Sequence, residues 1–257
     1  MNRVKPALLV VCAAVLGFGF QAAVRPPAAA PVKTSSDPII AGFQKTTVAS
    51  VADAMDQVLH KRGFMSHDMR PRTAGPGVPA KFVGRAATVF MRPASPEQAS
   101  ATLSAKHSVE MIDSAQPGEV GVLSIENGLD VAGLGGLMGT AARAREMAGI
   151  VIDGGVRDVE EVRGLGLPVF ARSVVPSSSV GRYATVDRNI PIRCGGVDVR
   201  PGDIVVAGED GVVVVPSDQA QAVLTRAIEI DQRESKMVPL IQQLKALGKA
   251  VQQFNRI

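Results

Sequence analysis

The stretch Gly133 to Asp158, GLGGLMGTAARAREMAGIVIDGGVRD, holds the residue types best suited to chemistry in this chain. Glycine has no Cβ, so a glycine-rich turn lets backbone come close to a ligand. A helix starting just after such a turn aims unpaired N–H groups, and the positive end of its dipole, at whatever sits in front of it. The glycine cluster Gly133 to Gly139 therefore reads as an anion-binding turn at a helix start, against the plainer reading of flexible-loop glycines. Arg157 and Asp158 follow two glycines at the end of a short apolar run, Ile150 to Ile152. The fixed fork of a guanidinium suits a carboxylate or an enolate oxygen. One carboxylate rarely holds a structural metal, but it suits Mg²⁺, which keeps several waters and needs few protein ligands. The competing reading makes Asp158 a helix N-cap and Arg157 a solvated cation. On the functional reading, main-chain donors, a guanidinium and a metal-bearing acid converge on one small organic anion.

Other chemistries fit less well. The spacing Gly133-x-Gly135-Gly136-x-x-Gly139 brings the third glycine one residue late for a dinucleotide fingerprint, and no acid stands suitably downstream to take a ribose. A P-loop lysine is missing too. His60, His67 and His107 lie far apart, without metal-ligand spacing. Ser177, Ser178 and Ser179 lack a nucleophile-elbow context and read as loop, while Cys194, between Arg193 and two glycines, reads as structural. Arg145 and Glu146 read as a solvated helix face.

The elements around this stretch follow from propensity and period. Thr140 to Met147 is Ala/Arg/Glu-rich and helical by propensity, and Ile150 to Ile152 suits a strand buried on both faces. Val48 to Arg62 is an amphipathic helix, Met69 to Pro79 a loop, Lys81 to Met91 an alternating strand and Pro96 to Val109 a helix. Val120 to Ile125 and Val169-Phe170 read as strands, with a short helix at Val159 to Arg163; the Ser-rich Val174 to Asn189 carries no assignment. Ile190 to Pro216 reads as all-β, its turns Arg200-Pro201-Gly202-Asp203 and Glu209-Asp210-Gly211 being hairpin signals. Ser217-Asp218 caps a final long helix through about Leu247, bent or interrupted at Pro239.

At 257 residues with 46% hydrophobic and 20% charged content, the chain can bury a sizeable core and is not a disordered sequence. Aromatics at 4% and a scattered net charge of +4 argue against nucleic acid as a partner. Arg3 and Lys5 precede the uncharged run Pro6 to Val24, the layout of a secretory leader, or of a membrane anchor if uncut. The expected organisation is a leader at residues 1–30, a Pro/Ala/Ser-rich linker at 31–38 and one domain at 39–257. The chain is then exported, periplasmic or membrane-tethered, or cytoplasmic if the start codon is mis-called.

The segments GGLMGTAARAREMAGIVIDGGVRD, GLPVFAR and CGGVDVRPGDIVVAGEDGVVVVP resemble the RraA-like family, which includes the class II 4-hydroxy-4-methyl-2-oxoglutarate / 4-carboxy-4-hydroxy-2-oxoadipate aldolases. The similarity runs in order from about Thr47 to Lys236. It implies an α/β fold, an αββα sandwich of the swivelling-domain type with a β-rich C-terminal half and a terminal helix. It also implies a homo-oligomer, trimer or hexamer, with sites between subunits. The implied substrate is a small 2-oxo acid whose carboxylate meets the amides of Gly135, Gly136, Leu137 and Met138. Arg157 would contact its carbonyl and Asp158 would bind Mg²⁺ or Mn²⁺. Glu234 is the candidate for a carboxylate reaching a neighbouring subunit's site. Some aldolases of the family carry an acid where this chain has Gly136, and that acid helps order a metal-bound water. The implied activity is a divalent-metal lyase releasing pyruvate, with possible oxaloacetate decarboxylation. The alternative is a non-catalytic binding protein, like the founding member, which inhibits a ribonuclease.

Overall fold

The computed structural model describes residues 36–255; the expected leader and most of the expected linker lie outside the described residues. Among the described residues, no helix is long and apolar enough to cross a membrane. Pro38, placed in the linker by the sequence, opens helix α1 (Pro38–Lys45), whose first turn is capped by the Asp37 carboxylate. α2 (Val48–Leu59) begins at a Thr47 cap and ends at His60, which takes a left-handed conformation. A two-residue strand β1 (Arg70–Pro71) lies inside the segment expected to be loop, and β2 (Phe82–Pro93) follows. α3 (Ala101–Ser114) starts later than the expected helix and runs on past Val109 to Ser114. Strands β3 (Val120–Ile125) and β4 (Ala132–Leu134) then lead to α4 (Gly136–Ala144).

The position of α4 corrects the expected span of Thr140 to Met147. The helix starts at the glycines and stops at Ala144, because Glu146 adopts positive φ and Met147 is buried beneath the loop. Arg145 is exposed as expected but follows the helix as its C-cap, and its guanidinium donates to the carbonyl of Ala115 at 2.8 Å, closing the end of α3. Next come β5 (Gly149–Val156), α5 (Val159–Gly164), β6 (Val169–Val174) and β7 (Tyr183–Arg188). β7 occupies part of the Ser-rich stretch that propensity left open. Strands β8 (Ile192–Cys194), β9 (Val197–Val199), β10 (Ile204–Gly208) and β11 (Gly211–Val215) form the expected β-rich run. The chain closes with α6 (Ala220–Leu244), which contains Pro239, and α7 (Leu247–Phe254).

The alternation of side chains explains the layers. β2, β3, β5 and β6 are parallel neighbours, and β10 and β11 extend the sheet antiparallel from the first half of β2. Leu123, Ile150, Ile152 and Val169 point to one face, where Met111 of α3, Ala142 of α4 and Val162 of α5 cover them. Val122, Val151 and Phe170 point to the other face and meet Val205, Ala207, Val212 and Val214 across a second core. The alternate residues Ile204, Val206, Val213 and Val215 pack outward on Phe43, Val51, Val223 and Ala227 of α1, α2 and α6. Helices, sheet, sheet and helices therefore stack in that order, an αββα sandwich. β2 joins the two sheets because its Val83 faces the α1/α2/α6 layer while Val89 and Met91 face the α3/α4/α5 layer. Val-rich strands buried on both sides are what such stacking requires.

Candidate active site

Ligands of parallel α/β sheets gather beyond the carboxyl ends of the strands. Here that rule acts through one ladder. β4 pairs with β5 in parallel, Leu134 opposite Val156, and the N–H of Arg157 donates to the Leu134 carbonyl at 3.1 Å. The chain thus leaves the sheet twice at the same place, as Gly135-Gly136 beyond β4 and as Arg157-Asp158 beyond β5.

The two exits touch. Gly136 donates its N–H to Oδ2 of Asp158 at 2.9 Å, and Arg157 Nε lies 3.4 Å from the same oxygen. A Cβ built on Gly135 would stand 2.6 Å from Asp158 Oδ2 and 2.8 Å from Arg157 Nε, so glycine is what leaves room for both side chains as they are placed. Asp158 precedes α5, yet its side chain makes no capping hydrogen bond there. It caps α4 instead, across 22 residues of sequence, and holds φ at 54° to do so. A non-glycine residue in that region is uncommon, and such conformations concentrate at functional sites.

This engagement changes the expected amide set. The Gly136 N–H belongs to Asp158, whereas the N–H groups of Leu137 and Met138, in the first turn of α4, have no partner among the described residues. They remain open to an anion, with the helix dipole behind them. Oδ1 of Asp158 and the two terminal nitrogens of Arg157 are also uncommitted among the described residues.

These groups share one cavity of about 360 Å³. Gly135 to Met138, Arg157 and Asp158 line one side, with Met91, Ala105, Val109 and Val180 making an apolar wall. Four polar residues of the lining were not singled out as site residues from the sequence: Glu161, Ser108, Ser178 and Ser179, the last two having been read as loop. Glu161 was detectable in principle, since it falls one helical turn after Asp158, where the two side chains share a face. Ser108 Oγ is buried without a hydrogen-bond partner. Leu137, at the rim, is 89% exposed.

The remaining expectations sort as follows. No histidine lines this cavity; His107 pairs with Glu110 at 2.9 Å on α3. Cys194 is fully buried in the inter-sheet core, where burial pushes its thiol well above the ordinary range. Glu234 sits on α6 and does not line the cavity of its own chain. Among the described residues, no group of three or more His, Cys, Asp or Glu is placed to hold a metal. Asp158 with its free Oδ1 matches a mostly hydrated Mg²⁺ and no fully protein-ligated ion.

Known proteins resemble this chain in both sequence and fold. The family model RraA-like, described as Aldolase/RraA, matches residues 48–214. A provisionally named 4-hydroxy-4-methyl-2-oxoglutarate aldolase of Halalkalibacterium halodurans is 36% identical over 113 residues, 44% of this chain and 53% of that protein. The match spans between 32% and 53% of the length of the first curated relatives. A crystal structure of an uncharacterised Pseudomonas syringae protein superposes with a TM-score of 0.74 at 27% identity, covering 86% of this chain and 96% of that one. Streptomyces coelicolor RraAS2, described as an unusual member of the RNase ES inhibitor RraA family, gives a TM-score of 0.66 at 26% identity, covering 80% and 98%.

Proposed function

The chain belongs to the RraA-like family, and we propose that it is a divalent-metal-dependent lyase that cleaves 4-hydroxy-2-oxo diacids to pyruvate. The observation that carries this reading is the convergence of the α4 N-terminus, Arg157 and Asp158 on one cavity of about 360 Å³, a size suited to a small diacid. The provisional aldolase name of a relative at 36% identity supports the same class.

In this reading Asp158 holds Mg²⁺ or Mn²⁺, with most other positions left to water and substrate, and a carboxylate such as Glu234 comes from a neighbouring subunit. A bound metal of this kind acts as a Lewis acid toward the 2-oxo carbonyl. The chain's own groups do the rest. The N–H groups of Leu137 and Met138 receive the C1 carboxylate, which fixes the pyruvyl end of the substrate. Arg157 directs its free nitrogens at the C2 oxygen, where negative charge grows as the C3–C4 bond breaks. Donors fixed in advance at such a position lower the barrier because nothing has to reorganise as the charge appears. The same enolate arises when an oxaloacetate-like acid loses CO₂, so decarboxylation of oxaloacetate is a side activity of the same groups. Leu137, exposed beside the cavity, supports a homo-oligomer, trimer or hexamer, in which a neighbouring copy covers the rim. The basic, then apolar, N-terminal sequence supports export or tethering.

The test is release of pyruvate from a panel of 4-hydroxy-2-oxo diacids and oxaloacetate with Mg²⁺, abolished by EDTA. Absence of turnover across the panel would reject the lyase. A second reading, a protein-binding regulator without chemistry, is favoured by the fold likeness to a member of the ribonuclease-inhibitor family. Calorimetric Mg²⁺ titration separates the two, since a pure binding module has no site that depends on Asp158.

A further inference from the structure

Retro-aldol cleavage needs a base at the hydroxyl remote from the 2-oxo group, and the groups assigned so far all act at the pyruvyl end. Arg157 is cationic, and Asp158 is committed to Gly136 and, on the lyase reading, to the metal. Among the residues that line the cavity, the titratable group left is Glu161. Its carboxylate stands over the Cα of Gly136, and a Cβ added there would overlap it. It makes no hydrogen bond or ion pair among the described residues, whereas Asp158, one helical turn earlier, makes both.

We propose that Glu161, lining the cavity beside the α4 N-terminus and uncommitted to any other group, is the general base of the cleavage step. The assignment rests on the lyase reading of the same site. The Glu161 carboxylate takes the proton of the C4 hydroxyl, and the C4–O bond becomes a carbonyl as C3–C4 breaks. The electron pair of that bond becomes the C2–C3 double bond of the pyruvate enolate, with charge on the C2 oxygen. Glu161 then returns the proton to C3, giving pyruvate and a second 2-oxo product without any outside oxidant or reductant. Glycine at 136 is part of the device, since any side chain there would displace the base.

The test compares wild type with Glu161→Gln and Glu161→Asp in the full chain, using 4-hydroxy-4-methyl-2-oxoglutarate with Mg²⁺. Glu161→Gln, equal in size and on a solvent-exposed position, is expected to lower kcat by about 100-fold or more, the ordinary contribution of a positioned base. KM and the calorimetric Mg²⁺ affinity should stay within about threefold. The exchange of pyruvate methyl protons with D₂O, followed by NMR, should slow by a similar factor. Glu161→Asp, which keeps the base but withdraws it by one methylene, should recover part of both rates. Wild-type turnover with an unimpaired Glu161→Gln would overturn the assignment alone. So would loss of Mg²⁺ binding in that variant, which would make Glu161 a ligand. A wild type without turnover would overturn the lyase reading and this assignment with it.

Discussion

The main-chain N–H of Gly136 donates to Oδ2 of Asp158 at 2.9 Å, so the acid at the end of β5 caps the helix that follows β4. One side chain thereby fixes the relation of the two segments that build the site. Asp158→Asn separates this structural role from metal binding. The amide oxygen still accepts from Gly136, and Asn is well tolerated at positive φ. The variant should keep its stability to within about 1 kcal/mol, lose detectable Mg²⁺ binding by calorimetry and lose pyruvate release. Asp158→Ala loses the cap as well and adds strain at φ 54°, so it should melt several degrees lower. Retained Mg²⁺ affinity in Asp158→Asn would remove Asp158 as the metal ligand.

Gly135→Ala probes the crowding beside that bond. The backbone at Gly135 is extended, with φ −140° and ψ −170°, a conformation open to any residue. The new methyl would nevertheless meet Asp158 Oδ2 at 2.6 Å and Arg157 Nε at 2.8 Å. Both side chains are about two-fifths exposed and can swing outward, so the strain should be relieved at the site rather than in the core. The expected outcome is a fall in kcat/KM of about 100-fold, as for a misplacement of about 1 Å, with little change in the thermal midpoint. Equal loss of activity and of folded protein would contradict this.

The sequence and the structure agree best where the information is local. Asp210-Gly211 joins two Val-rich runs, and β10 and β11 pair across that turn from Ile204↔Val215 to Gly208↔Gly211. Ile150 to Ile152 lie in the central strand β5 for the same reason, being a short β-branched run after Gly149. The differences arise where a distant partner overrides propensity. Gly136 and Gly139 are poor helix formers, yet α4 includes both because Asp158 caps its first turn. β7 escaped notice because its pairing with β2 depends on residues about ninety positions away, such as Arg92↔Ala184. Arg157, Asp158 and the turn were legible as chemistry from residue type alone. Glu161 had only its spacing from Asp158 to mark it, since a Glu in the first turn of a short helix looks like an ordinary partner for the dipole until its carboxylate is placed over Gly136.

Cys194 is the chain's buried thiol among the described residues. Burial is the main cause that raises its pKa, and the negative charge of Asp153 adds to it. Thiolate is the reactive form, so the folded protein should protect this sulfur. Alkylation at pH 8, followed by mass mapping of the Cys194 peptide, should proceed only as fast as the protein unfolds. Labelling should become complete in denaturant. Rapid labelling of the native protein would mean that the inter-sheet core opens far more readily than its packing implies.

Arg157→Lys tests whether the fork or only the charge matters. Arg157 Nε approaches Asp158 Oδ2 at 3.4 Å, which leaves both terminal nitrogens free for a ligand. Lysine retains the positive charge but has a single donor head, more strongly hydrated and carried on a flexible stem. It can neutralise an anion without holding the C2 oxygen in a fixed direction. If the guanidinium stabilises charge that forms only as the C3–C4 bond breaks, its loss should appear mainly in kcat. A fall of about 10- to 100-fold in kcat is expected, in line with removal of one donor to a developing oxyanion, with KM changed by less than about threefold. A rise in KM at constant kcat would assign Arg157 to ground-state binding of a carboxylate instead. The two outcomes place the guanidinium at different ends of the same substrate. Binding of pyruvate to the variant, measured without turnover, decides between them: weakened binding goes with the carboxylate role and unchanged binding with the enolate role.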